Sequence, residues 1–169
     1  MNDLTITAPR TAFDLQVGRT IHGMLRQRGV DAKLSYDGGH VRIRMPFHDQ
    51  ASLGVALDAS TAWSMRQLEH GDPVIPPLYS AGVVYKREPQ CRRESGEIRI
   101  CEEFLTARCV YERHAGDCDD LGAWRAAELR LQGEDAKAYA RRSAAGWHVV
   151  VRRGDGSTED PSAILGMPT

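Results

Sequence analysis

The chain has 169 residues and a formal net charge of -1, with 41% hydrophobic and 27% charged residues. This balance predicts a folded globular protein, and the length allows one well-buried core with a small accessory unit but not two full-sized domains. Without a basic excess, a long apolar segment or a signal-peptide pattern, we expect no nucleic-acid or membrane partner and synthesis in a cytoplasm.

The first seventy residues predict a small α+β unit. Apolar residues recur at helical spacing over residues 11–28, which predicts a helix with one buried face. Two alternating stretches flank the Asp-Gly-Gly sequence at residues 37–39, and this pattern is typical of a β-hairpin. Asp49 and Asp58 are both candidate N-caps for a further helix that ends near residues 70–71.

A proline-rich segment follows this unit. Residues 71–79, GDPVIPPLY, contain three prolines, and such a run cannot continue a helix. We therefore predict a domain boundary here, with an accessory unit at residues 1–71 and a second domain at residues 72–169. Our hypothesis is that the accessory unit docks the second domain on a larger assembly. A short helix is predicted around residues 102–109.

The last third of the chain predicts a helix followed by antiparallel strands. Residues 118–131 are rich in Ala, Leu, Arg and Glu, and Asp117 stands where an N-cap is expected. The segments DAKAYARR and GWHVVVRR predict two strands, and GDGS predicts a turn that leads to a third strand, TEDPS. The fold class predicted for the whole chain is α+β.

The cysteines are the first candidates for chemistry. There are four of them: Cys91, Cys101, Cys109 and Cys118. No two form a CxxC pair, and nothing marks the chain for an oxidising compartment, so we predict neither a structural zinc site nor a disulfide framework. A zinc site that uses Cys118, His114 and His148 stays open as an alternative.

Cys118 is placed for reactivity at the predicted start of a helix. The unpaired N–H groups and the helix dipole stabilise a thiolate there, whereas Asp119 and Asp120 oppose its ionisation. A base could come from His148, which lies in an apolar strand. A hairpin turned at residues 154–156 would bring Asp160 within reach of that imidazole. These residue types are the parts of a thiol nucleophile with an oriented base.

Three sequence segments carry a resemblance to a known family. GDCDDLGAWRAAEL, WHVVVRRGDG and EDPS together resemble the transglutaminase-like cysteine proteins with a papain-like fold. The resemblance is strongest to the small versions encoded in bacteriophage and prophage structural gene clusters, and the upstream IPPLYSAGVVYKREP also looks like theirs. It covers residues 73–167 and implies a nucleophile helix packed on an antiparallel sheet. Cys118 would be the nucleophile, His148 the base and Asp160 the orienting carboxylate.

The resemblance also implies a reaction and a setting. The Cys118 thiolate would attack an amide carbonyl of a protein or peptide, with its own backbone N–H in the oxyanion hole. The resulting thioester would pass to water, as in a protease, or to an amine, as in a transglutaminase. No cofactor and no metal are expected, and the accessory unit would contact other phage structural proteins. The protein would be made in the host cytoplasm and associate with the virion.

Two alternatives stay open beside this enzyme hypothesis. The chain could be a structural virion protein, such as a head-tail connector or tail component, that keeps the fold without turnover. Cys109 could also compete with Cys118 as the functional thiol, although it lacks the glycine and acidic residue that precede Cys118.

Overall fold

A computed structural model describes residues 3–88, 91–92, 98–99, 102–143 and 146–168, and within these ranges the chain is α+β. The helices are α1 (Ala12–Gln27), α2 (Gln50–His70), α3 (Ala107–Arg113), α4 (Cys118–Leu131) and α5 (Pro161–Ile164), with a short 3-10 helix at Leu78–Ser80. The strands are β1 (Asp3–Pro9), β2 (Lys33–Asp37), β3 (His40–Pro46), β4 (Val84–Tyr85), β5 (Cys91–Arg92), β6 (Ile98–Arg99), β7 (Glu102–Leu105), β8 (Ala115–Gly116), β9 (Ala136–Ser143), β10 (Gly146–Arg153) and β11 (Thr158–Glu159).

The elements predicted for the first seventy residues are confirmed. Helix α1 begins after Thr11, whose hydroxyl accepts a hydrogen bond from the Asp14 backbone N–H at 3.0 Å. Strands β2 and β3 form the predicted hairpin. Of the two candidate caps for the next helix, Asp49 is the one used, and it forms a capping box with Ser52.

The main sheet combines strands from both sides of the proline-rich segment. Its order is β2-β3-β1-β7, in which β1 runs antiparallel to β3 and parallel to β7, with Ile6 opposite Phe104. Helix α2 packs against α4 and β9. The boundary predicted at residue 71 thus runs through one sheet and one hydrophobic core. Buried members of that core come from both segments: Leu4, Ile6, Trp63, Phe104, Ala126, Leu129 and Val151.

Two predicted elements differ from the structure. The helix predicted around residues 102–109 is wrong in its first half, because residues 102–105 form β7 and the helix begins at Ala107. Residues 102–105 form a strand because their backbone groups pair with β1. No local sequence pattern predicts such pairing. The third C-terminal strand is also shorter than predicted, since β11 ends at Glu159 and Asp160 caps α5.

Helix α4 contacts both the N-terminal helix α2 and the C-terminal strands. It packs against α2, β9 and β10. Its approach to β10 is close at Gly122, where an added Cβ would lie 2.7 Å from Cγ1 of Val149. A glycine at this point therefore fixes how closely the start of α4 can approach the strand that carries His148. In the described part of the chain, no helix is long and apolar enough to cross a membrane.

Candidate active site

Cys118 is the first residue of α4, as the sequence predicts. Asp117 caps the helix, and its side chain accepts the backbone N–H of Asp119 at 3.3 Å. Asp120 completes the capping box, because its Oδ2 accepts the Asp117 N–H at 3.2 Å while its Oδ1 accepts the Leu105 N–H at 2.6 Å. Both oxygens of Asp120 are thus engaged by backbone donors, and this side chain ties the helix start to β7.

His148 and Asp160 are in direct contact. Nε2 of His148 lies 2.7 Å from Oδ2 of Asp160, and the imidazole side chain is only 12% exposed. The other oxygen of Asp160 accepts the Ala163 N–H at 3.1 Å as the cap of α5. The sequence prediction that the hairpin would bring these two side chains together is confirmed as a contact. One oxygen holds the ring and the other holds a helix, so the carboxylate is fixed in orientation.

A charge network anchors the segment that carries Asp160. Its neighbour Glu159 accepts a hydrogen bond from Nε of Arg125 at 2.6 Å and another from Arg153. Arg125 lies on α4 and Arg153 on β10, and Arg125 also binds Glu128 at 3.0 Å. The hydroxyl of Tyr79 donates to Glu159 as well. The network therefore links β11 to the helix that carries Cys118 and to the strand that carries His148.

The Cys118 thiol lies in surroundings that keep it protonated. Burial raises its pKa to about 12, and the carboxylates of Asp117, Glu102 and Asp120 act in the same direction. The backbone N–H of Val149 opposes this shift by stabilising the thiolate, which places the thiol beside β10 at the residue that follows His148. At neutral pH, repulsion and desolvation thus outweigh the helix N-terminus, and the resting group is a neutral thiol.

Sequence reasoning missed two carboxylates of this site. Glu88, which follows β4, and Glu102, in β7, each place an oxygen within 4.8 Å of an Asp117 oxygen. Burial, followed by the charge of Asp117, raises the pKa of both, and that of Glu88 reaches about 8. Glutamates are common in this charged stretch, so no local signal distinguishes these two. They reach the site because β7 pairs with β1 and because residues 84–85 pair with β8.

The other candidate thiols and ligands lie elsewhere. Cys109 is buried in a second hydrophobic cluster, which also contains Leu121 and Trp124, and burial raises its pKa to about 12. The side chain of Cys91 and the whole of Cys101 lie outside the described residues. Among the described residues, the possible metal ligands grouped with Cys118 are Asp117 and Asp119, not the two histidines of the zinc alternative.

Comparisons of the chain with protein-family models, with curated proteins and with solved structures found no match.

Proposed function

We propose that the chain is a transglutaminase-like cysteine hydrolase or acyltransferase, with Cys118 as nucleophile, His148 as base and Asp160 as orienting carboxylate. One observation carries this proposal. The imidazole of His148 is held by Asp160 at 2.7 Å, and the next residue of the same strand, Val149, has its N–H beside the Cys118 thiol. A thiol and an oriented imidazole on adjoining elements are the parts that acyl transfer through sulfur requires.

The contact to Asp160 defines how His148 would act. If Nε2–H donates to Asp160, Nδ1 carries the lone pair and takes the proton of the neutral Cys118 thiol as sulfur attacks the amide carbon. The C–N bond then breaks, and the imidazolium returns this proton to the leaving amine. Water or a second amine attacks the thioester carbon, His148 takes its proton, and the sulfur leaves and is reprotonated. Asp160 stabilises the imidazolium in both halves of the reaction.

The setting is proposed from the sequence resemblance. It is a bacteriophage product that is made in the host cytoplasm, associates with the virion and acts on amides of proteins or peptides. The N-terminal segment would contact other phage structural proteins. Because it shares a sheet and a core with the rest of the chain, such docking would bring the candidate active site to the partner in a fixed orientation.

A second candidate function is supported by the acidity of the site. Burial and three carboxylates hold the pKa of Cys118 at about 12, and a protein selected only for its fold needs no ionised thiol. The chain would then be a structural virion protein, such as a head-tail connector or tail component, that retains a transglutaminase-like fold without turnover.

The rate of Cys118 alkylation separates the two functions. Iodoacetamide is added near neutral pH, and intact-mass measurement with peptide mapping follows each cysteine. The enzyme function predicts that His148→Ala slows modification of Cys118 by about 100-fold, because a positioned base contributes at least that much to proton transfer. The matched control is His114→Ala, which removes an exposed histidine at the end of α3 and should leave the rate unchanged. Equal, slow modification of Cys118 in the wild type and in His148→Ala would contradict the enzyme function.

A further inference from the structure

The hairpin of β9 and β10 carries arginines with and without carboxylate partners. Arg153 is bound by both Glu134 and Glu159. Arg141 and Arg152 are exposed, and neither forms an ion pair with an Asp or Glu side chain in the described part of the chain. An exposed guanidinium without a partner can donate several hydrogen bonds to a carboxylate of another molecule.

Arg141 lies on the outward face of the hairpin, beside the candidate base. Along β9, Ala136, Ala138 and Ala140 are buried, and the residues that alternate with them are exposed. Arg141 belongs to the exposed set and lies directly opposite His148 in the pairing of β9 with β10. Side chains of directly paired residues share one face of a sheet, with their Cβ atoms about 4.5–5.5 Å apart. A group that binds Arg141 therefore lies next to His148.

Tyr139 lies between the two arginines on the same face. The guanidinium of Arg152 is 5.0 Å from the centroid of the Tyr139 ring, and this stacking restricts the side chain before any partner binds. Lys137, which pairs with Arg152 across the hairpin, is already 3.3 Å from a carboxylate oxygen of Asp58. The positive charges that this face offers to a partner are therefore those of Arg141 and Arg152.

We propose that Arg141 and Arg152 bind two carboxylates of an acidic segment of the protein or peptide substrate. This inference rests on the proposed function, because it names the substrate class of the same site. His148, opposite Arg141, is four residues from Arg152 on β10, so the two arginines are about 14 Å apart along the strand. Two side chains four residues apart on an extended peptide have the same separation. The substrate segment therefore carries acidic residues at positions i and i+4.

A short acidic peptide fits this face better than a nucleic acid. Arg152 is stacked on the Tyr139 ring, which would otherwise be the stacking surface for a base. Around Cys118, the carboxylates of Asp117 and Glu102 would repel a phosphate backbone that continued across the site. Complementarity to negative charge is thus limited to one side of the candidate active site.

The test measures peptide binding to the full-length chain by fluorescence anisotropy, with Cys118→Ser as the background so that no turnover occurs. The probe is a labelled, serine- and threonine-rich peptide of nine residues with two glutamates four positions apart. We expect saturable binding at low ionic strength that weakens at about 150 mM salt. Arg141→Gln and Arg152→Gln should each weaken binding about threefold, the scale of an exposed ion pair, and together about tenfold.

Arg28→Gln is the matched control. It removes the same exposed charge from the end of α1, a helix that packs against α2, β2 and β3, and it should leave binding unchanged. Because Arg141 and Arg152 are exposed, the thermal midpoints of their variants should stay close to that of the background, which excludes unfolding as the cause of lost binding. Binding in Cys118→Ser needs no reactive thiol, so a failure of the enzyme function leaves this result unaffected.

Four outcomes would overturn the proposal. The first is equal binding of a peptide with lysines in place of the glutamates, and the second is unchanged binding in the double arginine variant. The third is tighter binding of a single-stranded oligouridine that the same substitutions weaken, since the face would then bind nucleic acid. In the wild type the bound peptide should also slow iodoacetamide modification of Cys118, and an unchanged rate at saturating peptide would place the segment away from the candidate active site.

Discussion

The two sides of the candidate active site differ in how their charges are compensated. On the side of His148, each acidic group faces a partner, since Asp160 binds the imidazole and Glu159 binds both Arg125 and Arg153. On the side of Cys118, acidic groups accumulate instead. Burial and the charge of Asp117 raise the pKa of Asp119, Asp120, Glu88 and Glu102 above their usual ranges.

The side of His148, which we call the compensated side, determines the geometry of the site. The side of Cys118, which we call the acidic side, determines the electrostatics around the thiol. Hydrogen-bonded ion pairs have preferred directions, so the compensated side holds His148, Asp160 and Glu159 in one arrangement. The acidic side concentrates carboxylates around the Cys118 thiol and holds the thiol neutral. Variants that disturb one side at a time can therefore show whether position and charge are controlled independently.

The largest effect is expected from Asp160→Asn. The amide still caps α5, as asparagine does well, but it no longer stabilises a positive imidazole or fixes its tautomer with a full negative charge. We expect iodoacetamide modification of Cys118 to slow by about 100-fold, measured by intact mass. Asp155→Asn is the control, because Asp155 lies in the exposed turn between β10 and β11. An unchanged rate in Asp160→Asn would show that the contact is structural only.

The second effect concerns the stability of the compensated side. Glu159 has a side chain that is 14% exposed, and Glu159→Gln weakens its hydrogen bonds to two arginines. We expect the free energy of unfolding to fall by about 2 kcal/mol in denaturant titrations, the scale of a hydrogen bond to a charged group. Glu134→Gln is the matched control, because Glu134 binds the same Arg153 but is 39% exposed, and it should cost less than about 1 kcal/mol. Equal losses in both variants would contradict a special role for Glu159.

The same pairing makes a prediction about pH. Burial acts to raise the pKa of Glu159, but the hydrogen bonds from Arg125, Arg153 and Tyr79 outweigh it and lower the pKa to about 2. The folded pKa is thus below the unfolded value of about 4.3, so the stabilisation is complete above about pH 5 and is lost as the pH falls towards 2. The difference in unfolding free energy between the wild type and Glu159→Gln should shrink over this range. A difference that stays constant would contradict the assignment.

Local signals account for the parts of the site that the sequence predicts. The Asp117 cap, the alanine-rich helix behind it and the short turn between two strands are all encoded within a few residues. The contact between His148 and Asp160 follows from that turn, since His148 lies on β10 and Asp160 directly follows β11, the strand that pairs with β10.

The acidic side was not predictable in the same way. Glu102 reaches Cys118 because β7 pairs in parallel with β1, and in this pairing Thr7 donates to Glu103 across 96 positions of the chain. Parallel neighbours so far apart leave no periodic pattern in the sequence. The boundary was predicted at residue 71 because a proline-rich segment is typical of a linker. In the structure this segment joins α2 to the 3-10 helix, and strands β3 and β7, which lie on either side of it in the sequence, belong to one sheet.

The smallest effect is expected at the contact between α4, which carries Cys118, and β10, which carries His148. Gly122 lets α4 approach β10, and a methyl group there would lie 2.7 Å from a rigid branch of Val149. Overpacking costs roughly 1–3 kcal/mol, and alanine returns up to about 1 kcal/mol of helix propensity, so Gly122→Ala should lose about 1 kcal/mol. Gly54→Ala in α2, where nothing lies within 4 Å, should instead gain stability in the same denaturant titration. If the strand yields by moving away from α4, modification of Cys118 should slow as well, because His148 moves with Val149. A gain of stability in Gly122→Ala would show that the close approach of helix and strand is not what holds the thiol and the imidazole together.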